Sequence, residues 1–99
     1  MENNNKLGME NKKINESGME KIYKFAKKFG FTFNYREDFR AGLVNCFIIA
    51  PKTDVVFDYT EVDGDVIILI NKERFNHGVD RALNYYEELL ILKGEFNGK

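Results

Sequence analysis

Tryptophan is absent from this chain, and cysteine, histidine and proline occur once each. Each scarcity excludes something. A single cysteine, Cys46, closes no internal disulfide, and its apolar surroundings (Leu43, Val44, Phe47, Ile48) mark it as a small buried hydrophobe rather than a reactive thiol. A single histidine, His77, builds no histidine-based metal cluster, so no metal is expected. Long apolar runs are missing too. The longest, such as 66–70, have the length of a strand, far below the roughly 20 residues that cross a bilayer. No apolar stretch resembling a signal peptide opens the chain, which makes a cytoplasmic setting the expectation. No glycine-rich phosphate loop, cysteine pair or nucleophile motif occurs, so neither a cofactor nor an enzymatic activity is expected.

Charge of one sign is also scarce. The net charge is −1, with residues 1–40 carrying +3 and residues 41–99 carrying −4. This mild dipole is too weak to imply a nucleic-acid partner from bulk charge alone.

What the chain does have is aromatic and aliphatic mass. Hydrophobic residues make up 43%, with nine Phe and five Tyr, enough for a folded core. That mass is absent from residues 1–16, where Leu7, Met9 and Ile14 stand isolated among Asn, Lys and Glu. This segment buries too little to offset its ordering entropy and reads as a flexible tail. At Ser17 the pattern changes. Ser17 and Glu20 form the capping-box spacing, Met19, Ile22, Phe25, Ala26 and Phe29 follow at intervals of three and four, and Gly30 supplies the stop, predicting a helix over 18–29.

Residues 31–35 alternate as a strand does, and 36–42 reads as a loop. Three apolar strands follow at 43–50, 55–62 and 66–70. The first pair is joined by a turn at 51–54 and the second by Asp63 and Gly64, a strong type I′ hairpin signal. A second helix is expected to start near 71–76: Phe75, Val79, Ala82, Leu83, Tyr86, Leu89 and Leu90 lie at helical spacing up to Gly94, and residues 95–99 are expected to fray. The expectation is one α+β domain over 17–94, ordered α-β-β-β-β-α, with an antiparallel meander and two helices packed on one face.

Turn lengths fix strand register, and register fixes faces. The two-residue turn sets Val62 against Asp65, hence Tyr59 against Ile68 and Phe57 against Ile70; the four-residue turn sets Ile48 against Phe57 and Cys46 against Tyr59. Val44, Cys46, Ile48, Phe57, Tyr59, Val66, Ile68 and Ile70 thereby share the core face. The opposite face gathers Asn45, Phe47, Ile49, Val56, Asp58, Thr60, Ile67 and Leu69, too apolar for a plain solvent face. Either segment 31–41 folds across it, or another molecule does. In a simple meander strand 66–70 is also left at an edge, open to strand pairing unless 31–35 occupies it.

These features point to a small non-catalytic domain that binds another protein, or a second copy of itself, through the mixed sheet face or edge, of the kind that serves as an accessory or inhibitor protein in bacteria or phages, including inhibitors of host defence. The expected binding residues are Phe47, Ile49, Ile67 and Leu69, with Asp58, Glu61, Asp63 and Asp65 as an acidic hairpin beside them. The acidic group fails the EF-hand pattern, since Gly64 at its centre would put Tyr59 and Ile70 at ligand positions. The alternative is a nucleic-acid-binding module using Lys21, Lys24, Lys27 and Lys28 on the first helix. A third reading, a site around His77 and Asp80, has no nucleophile to support it.

Overall fold

A computed structural model describes residues 17–96, so the expected tail at 1–16 lies outside the described residues. Helix α1 (Gly18–Phe29) begins as the sequence predicts. Ser17 Oγ accepts from the Glu20 backbone N–H at 3.2 Å, and Glu20 Oε1 accepts from the Ser17 N–H at 2.9 Å, completing the capping box. Gly30, at φ 75°, ends the helix while the Phe31 N–H returns to the Ala26 carbonyl. The start of α1 sits directly on the sheet: a Cβ added at Gly18 would stand 2.8 Å from the Tyr59 hydroxyl, so this close approach requires glycine.

The sheet is an antiparallel meander of five strands, in the order β1 (Thr32–Asp38), β2 (Leu43–Ile49), β3 (Val56–Val62), β4 (Asp65–Ile70) and β5 (Glu73–Phe75). Helix α2 (Val79–Leu92) closes the domain and packs with α1 on one face. Every pairing derived from the turns is present: Val62 faces Asp65, Tyr59 faces Ile68, Phe57 faces Ile70, Ile48 faces Phe57 and Cys46 faces Tyr59. Asp63 and Gly64 both take positive φ, as a type I′ turn demands. The core lies on the predicted face, but without two of its expected members: Val66, near the hairpin end, is 44% exposed, and Val44 is only half-buried. Cys46, Ile48, Phe57, Tyr59, Ile68 and Ile70 are buried against Ile22 and Ala26 of α1 and Ala82, Leu83, Tyr86 and Leu90 of α2. Tyr86 lies at its centre, edge-on to Phe57 at 5.3 Å, with its hydroxyl donating to the Val55 carbonyl at 2.7 Å.

The structure differs from the sequence reading in four places. First, β1 runs through Asp38, absorbing part of the expected loop 36–42, and pairs with β2; segment 31–41 neither crosses the second face nor protects strand 66–70. Second, that strand is not the sheet edge. The chain turns back at Asn71 and Lys72, and β5 pairs Ile70 with Glu73 and Ile68 with Phe75. The sheet therefore has a fifth strand where the start of the second helix was expected. Third, Phe75 consequently belongs to a strand, and α2 starts at Val79. Fourth, the chain does not fray at residue 95. The Glu95 side of the α2 terminus is only 3% exposed. Its carboxylate accepts from the backbone N–H groups of Lys52 and Thr53, at 3.1 and 2.9 Å, and from the Thr53 hydroxyl at 2.7 Å. Phe96 stacks on Phe29 and Phe31.

This clasp ties the end of α2 to the β2–β3 turn. Replacing Glu95 by Ala strands two backbone donors in a partly buried site, so urea unfolding should show a loss of about 2–3 kcal/mol. Glu95→Gln, which keeps one acceptor oxygen, should lose less.

Candidate functional site

The two helices cover one face of the sheet, and no described element lies over the other. Strand pairing arranges that open face in rows. Asn34, Phe47, Asp58, Leu69 and Arg74 form one row across all five strands. Beside it run Arg36, Asn45, Thr60 and Ile67 on one side and Thr32, Ile49 and Val56 on the other. Phe47, Val56, Ile67 and Leu69 are only half-buried and Ile49 is 37% exposed.

The centre of the face is polar and ordered. Asn45 is 7% exposed despite lying on the uncovered side, because its strand neighbours enclose it. Its amide Nδ2 shares its two hydrogens among three acceptors, Asp58 Oδ1 at 2.8 Å, Thr60 Oγ1 at 2.9 Å and the Tyr59 carbonyl at 3.1 Å. Thr60 Oγ1 also donates to Asp58 Oδ1 at 3.3 Å. Asp58 is thus held through one oxygen between Phe47 and Leu69, while Oδ2 takes part in none of these bonds. A carboxylate fixed this way, ringed by apolar side chains, is a preorganised acceptor for a cationic or hydrogen-bond-donating group on a partner.

The expected site residues divide accordingly. Phe47, Ile49, Asp58, Ile67 and Leu69 share the open face. Glu61 does not: it alternates onto the helix face, where the Tyr59 hydroxyl donates to it. Asp63 belongs to the hairpin turn, and Asp65, opposite Val62, stands at the rim of the open face. The acidic hairpin is therefore not a single surface. Asn45 is the residue whose role the sequence reading missed. Its signal was present, as a lone amide interrupting the apolar run 43–50.

The lysines of α1 face a different neighbourhood. Lys21, Lys24 and Lys28 line a groove between the helices, with Phe25 and Leu83 on its floor and Asp80, Asn84 and Glu87 on the opposite wall. Lys21 Nζ bonds Asp80 at 3.1 Å. Lys27 instead lies over the Tyr23 ring, 5.9 Å from its centroid. The basic helix thus meets acidic side chains of α2 within its own fold. Asp80 is engaged there, whereas His77 stands edge-on to Phe75 at 5.2 Å. Among the described residues, no group of three His, Cys, Asp or Glu side chains is placed to hold a metal ion, and no helix is long and apolar enough to cross a membrane. No family model, curated protein or solved structure matches the chain.

Three groups beneath the open face have perturbed protonation. Burial pushes the Cys46 thiol from 9.0 up to about 12, helped by the charges of Asp58 and Glu61. Burial also raises Tyr59, with the hydrogen bond to Glu61 adding to it, and Tyr86, with Glu95 contributing. A group whose folded pKa is raised lends its full stability below its unfolded pKa and loses it as pH climbs towards the folded value. Stability should therefore hold at pH 8 and fall steadily from about pH 9 to 12. Denaturant unfolding at pH 8 and pH 11 checks this, and Cys46→Ala, though weaker at pH 8, should lose less stability over that interval.

Proposed function

We propose that this protein acts by binding another protein through the open face of its sheet, with Asp58 as the central polar contact and Phe47, Ile67 and Leu69 as the apolar ones. The observation that carries this reading is the half-buried apolar ring around the Asn45, Asp58 and Thr60 network, with no described element over it. Aromatic and branched aliphatic side chains suit strands, but gathering them in three adjacent strands leaves more contiguous apolar surface than a face that meets only water needs. An interface core does gain from them, together with a central polar group whose geometry is already fixed. Such a domain suits an accessory or inhibitor role, in which occupying a partner's surface is the whole activity. Nucleic-acid binding through α1 has less support, because Lys21, Lys24 and Lys28 share their groove with Asp80 and Glu87.

A capture experiment separates the two. The bead-bound chain is exposed to cell extract, and the captured protein is then titrated against variants whose circular dichroism matches the parent. Phe47→Asp and Leu69→Asp should each weaken its binding at least tenfold, while the double variant Lys24→Glu, Lys28→Glu leaves it unchanged. Binding that survives both sheet-face variants and disappears with the lysine variant, or capture of nucleic acid alone, would overturn the proposal.

A further inference from the structure

The open face is bordered by an edge with a chemistry of its own. We propose that the free edge of β1 pairs antiparallel with β1 of a second copy, about a twofold axis at Tyr35, joining two five-stranded sheets into one of ten strands. This pairing uses the strand edge rather than the open face and does not depend on that face binding a partner.

Of the two sheet edges, β5 has three residues and β1 has seven. Exposed edges are usually blunted by charged side chains, proline, a bulge, short length or a covering segment, and β1 carries charges only in its second half, at Arg36, Glu37 and Asp38. β1 contains no proline, and its pairing to β2 runs without a break from Thr32 opposite Ile49 to Asp38 opposite Leu43. No described strand lies on its other side.

The sequence of β1 fits itself in one register. Its first half, Thr32 to Tyr35, is uncharged, and Arg36, Glu37 and Asp38 follow. Antiparallel pairing centred on Tyr35 opposes Asn34 to Arg36, Phe33 to Glu37 and Thr32 to Asp38, so the charged half of each copy meets the uncharged half of the other. Centring on Arg36 would place that arginine against itself, a like-charge pair. Centring on Asn34 would use a shorter stretch of strand. Pairing centred on Tyr35 also keeps each residue on its own face: Phe33, Tyr35 and Glu37 stay on the helix side, and Asn34 and Arg36 stay on the open side.

The helix side offers a match for the incoming charge. Tyr35, at the middle of the strand, is 50% exposed. Tyr23 of α1 lies edge-on to Phe33 at 5.2 Å, with the Lys27 ammonium over the Tyr23 ring. A second copy's Glu37, brought opposite Phe33, enters beside that cation. The pairing also sets the two open faces side by side on one surface.

Sedimentation equilibrium on the full chain, combined with cysteine cross-linking, tests this. The native chain should be dimeric. Tyr35→Cys should form a reducible disulfide dimer nearly to completion under mild oxidation, since two residues on the axis lie within disulfide reach, roughly 4.4–6.8 Å between Cα atoms. Asp38→Cys should not, because its counterpart is six residues along the strand, roughly 20 Å away. Asn34→Lys, which opposes Arg36, should weaken the dimer at least tenfold, and adding Arg36→Glu should restore it. A chain that stays monomeric at millimolar concentration, a dimer indifferent to Asn34→Lys, or equal cross-linking at positions 35 and 38 would each overturn the proposal. Phe47→Asp should leave the dimer intact, so this result is read independently of the open-face reading.

Discussion

Everything in this domain depends on the register between β3 and β4. The Asp63 and Gly64 turn sets Val62 against Asp65, and the two-residue period of a strand then assigns every side chain in the sheet to one face or the other. A slip of β3 by one residue against its neighbours would exchange Phe57 and Tyr59 for Asp58 and Thr60 under the helices. The buried face would then hold a carboxylate with no helix residue to meet it, while the aromatic packing of Tyr86 on Phe57 would be lost. The α1 start would lose its seat on Tyr59 in the same move.

Geometry then leaves a remainder. Two helices of 12 and 14 residues cover one side of a five-stranded sheet and no more. The second side answers with a compromise: branched and aromatic residues that suit strands, arranged around an amide, a hydroxyl and a carboxylate that satisfy one another. Asn45 is central to that arrangement because it is buried with no described element above it and holds Asp58 by a hydrogen bond. The same division explains the charge pattern. The lysines of α1 meet Asp80 and Glu87 across the helix pair, so the positive first half of the chain and the negative second half are partly matched within the domain.

The parts legible in the sequence were those settled locally. The capping box at Ser17, the Gly30 stop and the type I′ turn each depend on a few adjacent residues, and each strand pairing followed from a turn length. β5 was not legible for a specific reason. Its turn places Asn71 and Lys72 at φ 54° and 73°, the same geometry as Asp63 and Gly64, but with a lysine where glycine gives the signal. Three residues of strand are also too few to show a period. The pairing of β1 with β2 is the one a meander implies, whereas the return of Glu95 to the turn at Lys52 and Thr53 is a choice of distant partner that no local pattern encodes. The apolar members of the open face were readable from alternation alone. The hydrogen-bonded network at its centre was not, since Asn45, Asp58 and Thr60 come together only once β2 and β3 are in register.

To bind a partner, the second sheet face must stay open in the isolated protein. Paramagnetic relaxation by a soluble gadolinium chelate, read by NMR on the full-length chain, tests this most directly. Signals from the Phe47 ring and the Ile67 and Leu69 methyl groups should broaden strongly, while those of Phe57, Ile68 and Ile70 stay sharp. Equal protection of both sets would mean that the chain covers this face itself, and would contradict the account.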